Sequence, residues 1–479
     1  MKSSLFTFLF STFLFFCHAQ DVVSVTLKGS KTKTQISTLY NLPLIKFGAK
    51  YYQVKYTSVD AKGAKDTLSG LLMVPDDLKY KYPRLVYQHG TSDCKKCVPS
   101  TYPSAGGEEG ELGLLFSGLG YVAILPDYVG MGSGRGFQTY VHASSIARAT
   151  EDMLAAVAVW ASQNGVQVNQ QLFITGYSQG GYASMAIHRH LEATQGSSSV
   201  TAASHMSGPY NLSGVMRELI LGNKAYTYPA YIPNTVMGFN EVYGFYNNLS
   251  DIFKPEYVTD IKNYYDGKIT LTSLNIKLLQ LLNANTGTII SGKMLRDDVI
   301  DSIRNQPNYF LNKVLEENDV YDWTPIAPTR ILYCKADDQV PYQNSIVAYD
   351  TMIANGATKL EIFDVLTTAN HGTCFNPAMS NTLIFFLNFQ SILIATEEID
   401  VDSEWQMQPN PADQVLEVEG NTPGFNIEIF DLQGKKVLTH LCVDRQSTID
   451  VSHLSVGMYI VSSLNKDGHT SLKKMCIVR

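Results

Sequence analysis

The stretch Gln171-Leu172-Phe173-Ile174-Thr175-Gly176-Tyr177-Ser178-Gln179-Gly180-Gly181 decides how the rest of the chain is read. An apolar run of β-formers leads into Gly-x-Ser-x-Gly, and a segment of helical character follows from Gln179 to Leu191. A strand that reverses sharply into a helix leaves no room for a Cβ two residues to either side of the bend, which accounts for Gly176 and Gly180. Such an elbow lifts Ser178 Oγ clear of a sheet edge. It also points the N–H of Gln179 and the start of the helix at the place where an oxyanion would form. The pentapeptide is common by itself, so its meaning depends on the strands around it and on partners further along the chain.

Working outward, Tyr51–Val59 and Thr67–Val74 read as a leading antiparallel pair. Arg84–Gln88, Tyr121–Leu125, the elbow strand, Val200–Met206, Arg330–Cys334 and Leu360–Val365 read as buried strands. Between them lie helical patterns at Leu112–Leu119, Ala143–Ser162, Gln343–Ala354 and Ala378–Ile394. Strands alternating with helices predict an α/β fold: a mostly parallel sheet with helices on both faces, and working residues at the strands' C-terminal ends. The rhythm breaks over 209–322, which is rich in Tyr, Asn and Leu, with helix-like runs at Ile276–Leu282 and Met294–Ile303. It reads as an inserted helical cap whose apolar side chains either wall a substrate site or form the cap's own core.

Composition changes near Thr396. Short alternating strands follow at Phe425–Phe430, Lys436–Leu441, Ser447–Val451, Met458–Ser462 and Lys474–Val478, divided by Gly434, Gly457 and Gly468. They predict a small all-β sandwich. The expected domains are a leader over 1–19, a catalytic unit over 20–395 containing the cap, a linker over 396–408 and the β-sandwich over 409–479.

A serine hydroxyl is a poor nucleophile near neutral pH, so it needs a general base, and that base needs an orienting acid. On a sheet with this elbow the acid and then the histidine follow the serine in sequence. His188, His190 and His205 come too early, and between His205 and the tail the remaining histidine is His371, placed in a loop after a strand. Asp337, just past a strand, is the favoured acid, with Asp338 and Asp322 as alternatives. The oxyanion donors are expected to be the N–H groups of Gln179 and Thr91. His89 and Gly90 support the loop that carries Thr91, and Asp127 holds a glycine-rich turn.

Taken together, His89-Gly90-Thr91, Pro126-Asp127-Tyr128-Val129-Gly130-Met131-Gly132, the elbow, Asp337 with Val340-Pro341, and His371 resemble the secretory-lipase branch of the α/β-hydrolases over residues 50–395. That resemblance implies a capped serine esterase or lipase acting through an acyl-enzyme on esters with an apolar acyl group. No metal or organic cofactor is expected. A serine peptidase of the aminopeptidase or prolyl type is the first alternative. It needs an anchor for a substrate amine, for which Glu316-Glu317 or Asp297-Asp298 would have to face Ser178. A non-catalytic surface binding protein is the second.

The tail is similar to the C-terminal sorting domain of the bacterial type IX secretion system. The matching residues are Pro409-Asn410-Pro411-Ala412, Ile429-Phe430-Asp431 with Gly434-Lys435, and Ile449-Asp450-Val451-Ser452 with Gly457-Met458-Tyr459. The resemblance implies an outer-membrane export partner, a secreted or cell-surface location and, in that family, removal of the tail on export. A carbohydrate-binding module would instead require Phe425, Phe430 and Tyr459 to form an exposed platform.

The net charge of -7 provides no basic footprint for nucleic acid or an anionic membrane. Lys2, the Leu/Phe-rich run Leu5–Phe16 and the small residue Ala19 read as a cleaved secretory signal, too short to span a bilayer. Export places the other cysteines where disulfides persist. Cys94-Lys95-Lys96-Cys97 lacks a second pair at metal-like spacing and is expected to close a short disulfide. Cys334 and Cys374 each lie three residues from a proposed triad member and are candidates for a second bridge.

Overall fold

The computed structural model describes residues 22–104, 106–394, 405–431, 435–464 and 470–478. The leader expected over 1–19, most of the expected linker, and the turn glycines Gly434 and Gly468 lie outside them. The chain divides into two compact units, the first ending at Ile394 and the second beginning at Ala395.

The first unit is built on strands β1 (Val22–Lys31), β2 (Ala49–Val59), β3 (Lys65–Pro75), β4 (Tyr80–Gln88), β5 (Val122–Pro126), β6 (Val168–Tyr177), β7 (Ala202–Met206), β8 (Thr329–Tyr333) and β9 (Leu360–Asp364). They lie in the order β1-β2-β3-β5-β4-β6-β7-β8-β9, and the two-residue strand β10 (Leu393–Ile394) adds to β4. Pairing is antiparallel from β1 to β5 and parallel from β5 through β4 to β9. The parallel strands therefore end on one edge, which carries His89, Asp127, Ser178 and the loops after β8 and β9.

Strand periodicity divides the core between two layers. Leu85, Tyr87, Ala123, Leu125 and Phe173 face a cluster with residues of the helices Leu112–Gly118 and His371–Leu387. The alternate residues Val86, Val122, Ile124 and Ile174 face the helices Ala143–Gln163 and Gln179–Gln195. Each fully buried aliphatic or aromatic side chain contributes roughly 1.5–3 kcal/mol, so both faces need a helical cover.

Strand β1 and the helix Lys33–Tyr40 were not expected. The cap holds six α-helices among its described residues, at Arg217–Leu221, Tyr231–Tyr243, Pro255–Tyr265, Leu271–Thr286, Asp297–Asn305 and Phe310–Glu317. The helix Pro255–Tyr265 buries Tyr257, Ile261 and Tyr264, a helical spacing carried by aromatics and therefore weak in propensity. The last helix of this unit is His371–Leu387, not Ala378–Ile394. Pro377 marks a start by propensity, yet in the structure it lies inside the helix. It forfeits one backbone bond, while Cys374, Ala378, Phe385 and Phe386 remain buried.

The second unit contains seven strands among its described residues: β11 (Trp405–Gln408), β12 (Val415–Gly420), β13 (Phe425–Phe430), β14 (Lys436–Cys442), β15 (Gln446–Asp450), β16 (Gly457–Leu464) and β17 (Thr470–Ile477). Sheets β11-β12-β15 and β14-β13-β16-β17 share a core of Trp405, Leu416, Val418, Ile427, Ile429 and Val461. Strands β11 and β12 extend the expected set. Phe425 and Tyr459 are buried in the same core, which removes two of the three aromatics a sugar platform would need.

Candidate active site

Ser178 sits where β6 turns into the helix Gln179–Gln195, at φ 62° and ψ −122°. An L-residue is strained there, and the surroundings hold it: Ser178 N–H donates to Met206 O at 2.9 Å and Ser178 O accepts from Tyr182 N–H at 3.1 Å. The flanking glycines follow from backbone crowding. A Cβ on Gly176 would lie 2.2 Å from Gly180 O, and one on Gly180 would lie 2.0 Å from Gln88 O. Gln179 is the first helical residue, so its N–H has no acceptor within that helix.

The turn after β8 and the start of the last helix meet beside this elbow. His371 Nδ1 lies 2.7 Å from Asp337 Oδ2, and both side chains are almost fully buried. Asp337 Oδ1 accepts the N–H groups of Gln339 and Val340, each at 2.9 Å. These bonds leave the other oxygen aimed at the ring. Asp338 has a different place: its Oδ1 accepts the His371 backbone N–H at 3.1 Å. Asp322 accepts from Asn355 Nδ2 at 2.8 Å in an exposed setting. His371 is the first residue of a helix, not part of a loop, and is preceded by Asn370, whose side chain caps that helix on Thr373 N–H. Its ring centroid is 5.0 Å from that of Tyr177, the residue before Ser178. The Tyr177 hydroxyl donates to His371 O.

A disulfide joins Cys334 to Cys374, tying the end of β8 to the helix that begins with His371. A second closes Cys94 to Cys97. Both expected pairings are present. Among the described residues Cys442 and Cys476 are free thiols, and no cluster of three or more His, Cys, Asp or Glu is placed to hold a metal.

Across the elbow, the loop after β4 is fixed from several sides. The His89 ring stacks on Tyr128 with centroids 4.1 Å apart, and its Nδ1 lies 2.8 Å from Gly90 O. Gly90 N–H donates to both carboxylate oxygens of Glu109 at 3.0 Å. Thr91 Oγ1 lies 3.0 Å from the Tyr140 hydroxyl. Asp127 is fully buried and accepts from Ser69 Oγ at 2.6 Å and Ser100 N–H at 3.0 Å. Burial raises its carboxyl above the usual range, against the pull of those donors. It packs the glycine-rich turn, since a Cβ on Gly132 would meet its Oδ2 at 2.4 Å.

Ser178 and Gln179 open onto a cavity under the cap, walled by Leu212, Met216, Ile220, Val236, Phe239 and other apolar side chains. That space is largely apolar, and Gln339 and Val340 of the Asp337 turn also line it. The carboxylate pairs that an amine anchor would require are elsewhere. Asp297 and Asp298 pair with Lys254 and Arg296, and Glu316 with Lys313, all on the surface; Glu317 accepts from the Tyr243 hydroxyl. None of the four lines the cavity. The cavity residues Tyr140, Tyr226, Tyr231 and Gln339 and the loop-holding Glu109 were not expected. Gln339 had a local signal in its closeness to Asp337, whereas the others are brought in from distant segments.

A sheet of this order, with a serine on the turn after a central strand and an imidazole–carboxylate pair from the last two strand ends, defines an α/β-hydrolase. The family model of the secretory lipases matches residues 113–386, and the chain belongs to that family; it is an ester-hydrolysing enzyme. Residues 406–478 match the secretion system C-terminal sorting domain, so this is an exported bacterial protein, secreted or at the cell surface, with a type IX sorting tail. Among the described residues no helix is long and apolar enough to cross a membrane.

Solved structures share the fold. A hydrolase of Legionella pneumophila aligns at TM-score 0.69 and 21% identity over 77% of this chain and 98% of its own. The rice cell wall degrading esterase LipA of Xanthomonas oryzae aligns at TM-score 0.64 and 22% identity over 76% and 94%. The closed state of Candida antarctica lipase A aligns at TM-score 0.56 and 14% identity over 77% and 81%. No curated protein matches the chain in sequence.

Proposed function

We propose that the enzyme cleaves carboxylic esters with an apolar acyl group through an acyl-enzyme on Ser178. His371 removes the serine proton as Oγ attacks the ester carbonyl. Asp337 holds the ring by Nδ1 and stabilises the imidazolium. The N–H groups of Gln179 and Thr91 receive the oxyanion, each worth roughly 10²- to 10³-fold in turnover. His371 then returns its proton to the leaving alcohol, and water, activated by the same ring, releases the acid. The cavity under the cap takes the acyl chain.

One observation carries this reading: the 2.7 Å Asp337–His371 pair lies against the residue preceding Ser178, beside an apolar cavity that Ser178 itself lines. Among the described residues no carboxylate lines that cavity, whereas a peptidase anchoring a substrate amine would need one. The test is a panel of chromogenic esters of graded chain length beside aminoacyl amides, with wild type and Ser178→Ala. Ester turnover that drops on the order of 10⁶-fold in the variant is expected. A loss below about tenfold, or turnover of amides alone, would overturn the assignment.

A further inference from the structure

The cap grips the turn that carries Asp337. Tyr226 lies between two cap helices, and its hydroxyl donates to Gln339 O at 2.9 Å. Tyr231 opens the helix Tyr231–Tyr243, and its hydroxyl donates to Gln339 Oε1 at 2.8 Å. Gln339 in turn gives its N–H to Asp337 Oδ1. Burial holds both phenols well above their usual range, so they stay protonated donors across any working pH. The outward side of the turn has no such cover, since Lys335, Ala336 and Asp338 are exposed. From the sheet side it is held by Ala336 N–H to Thr367 O at 3.0 Å and Asp337 N–H to Cys334 O at 3.1 Å. Those bonds precede or coincide with the acid. The residues that fix its Oδ1 come after it, and on the cap side they are held by the donating hydroxyls of Tyr226 and Tyr231, with Tyr228 also engaging the Gln339 side chain.

We propose that Gln339 is a positioning residue through which Tyr226 and Tyr231 of the cap hold Asp337 in register with His371. The proposal rests on Asp337 orienting the base and goes beyond it, because it makes the cap a part of the acid's support as well as a substrate wall. Asp337 must present Oδ2 along the Nδ1–H direction, and a hydrogen bond weakens steeply with misalignment. A rotation of the Asp337–Val340 turn would move Oδ1 with its two N–H donors and turn Oδ2 off the ring. The loss falls on the chemical step, because the cavity walls, made by the rings and not by the hydroxyls, are unaltered by removing the hydroxyls.

The experiment uses the full chain and a short chromogenic ester. Tyr226→Phe/Tyr231→Phe keeps both rings and removes both donors. Its kcat is expected to fall roughly tenfold, the consequence of about 1.4 kcal/mol of lost positioning, with KM within about twofold. Gln339→Ala should lower kcat similarly. In a double-mutant cycle, Tyr231→Phe should add little to Gln339→Ala or to Asp337→Asn, since the hydroxyl acts only through those residues. Thermal melting followed by circular dichroism reports folding, and if the double variant does not fold, the Gln339→Ala arm decides. The proposal is overturned if either folded variant keeps kcat within twofold of wild type, or if Tyr231→Phe costs as much on the Asp337→Asn background as on wild type. Failure of the underlying reading is distinct: Ser178→Ala and Asp337→Asn would then themselves remain active.

Discussion

Removing the Cys334–Cys374 bridge, by Cys334→Ala with Cys374→Ala, separates what the disulfide does for stability from what the side chains around it do for geometry. The two cysteines are 40 residues apart and enclose the helix Gln343–Ala354, β9 and both Asp337 and His371. Releasing a loop of that length restores entropy to the unfolded chain worth about 4 kcal/mol at 25 °C. The alanines also leave small voids, as both sulfurs are fully buried. The Asp337–His371 pair has further restraints: Gln339 and Val340 N–H on Asp337, and Asp338 on the His371 backbone. The expectation is an unfolding free energy lowered by about 4 kcal/mol with kcat at 20 °C within roughly threefold of wild type. Urea unfolding followed by circular dichroism at the helix band reads the first unit, because no described helix lies in the second. A stability loss below about 1 kcal/mol would refute the loop-entropy argument. An equally stable but inactive variant would show that the bridge, not the hydrogen bonds, sets the geometry.

The two neighbouring aspartates should behave differently: Asp337→Asn is expected to cost roughly 10³- to 10⁴-fold in kcat, by offering the wrong partner to Nδ1. Asp338→Asn, which keeps an oxygen for the His371 N–H, should cost less than about tenfold; reversed effects in the ester assay would assign the acid to Asp338. Acid stability should depend on His142, a helix N-cap accepting from Ser145 N–H, whose imidazole burial pushes down to about 4. With an unfolded value near 6.5, the unfolded chain binds the extra proton between those limits. The stability it contributes is therefore full above pH 6.5 and lost as pH falls toward 4, up to roughly 3 kcal/mol. His142→Asn retains a capping side chain and should flatten that part of the stability profile; an unchanged slope in denaturation between pH 6.5 and 4 would refute the assignment.

Much of this protein was legible along the chain because its chemistry is locally punctuated. Gly176 and Gly180 announce a bend that no other residue type can make, apolar runs mark the buried parallel strands, and alternating residues mark the tail sheets. Chain order alone singled out His371. Helix boundaries were less legible where a local signal conflicts with packing: Pro377 argues for a start that burial and the Cys374 bridge override. The cap helices were blurred because Tyr257, Ile261 and Tyr264 combine a helical spacing with weak helix propensity.

The amino-acid sequence by itself determined the class of sheet, the strand-to-helix elbow at Ser178 and the sorting tail, since each depends on residues within one short segment or on a repeated local period. Only the tertiary structure distinguishes Asp337 from Asp338, which are adjacent in sequence but meet different parts of His371, the ring nitrogen and the backbone N–H. It alone brought Tyr226 and Tyr231 onto Gln339, over 100 residues away. Hydrogen-bond direction and long-range side-chain contact depend on how separate segments pack, and no local pattern records that.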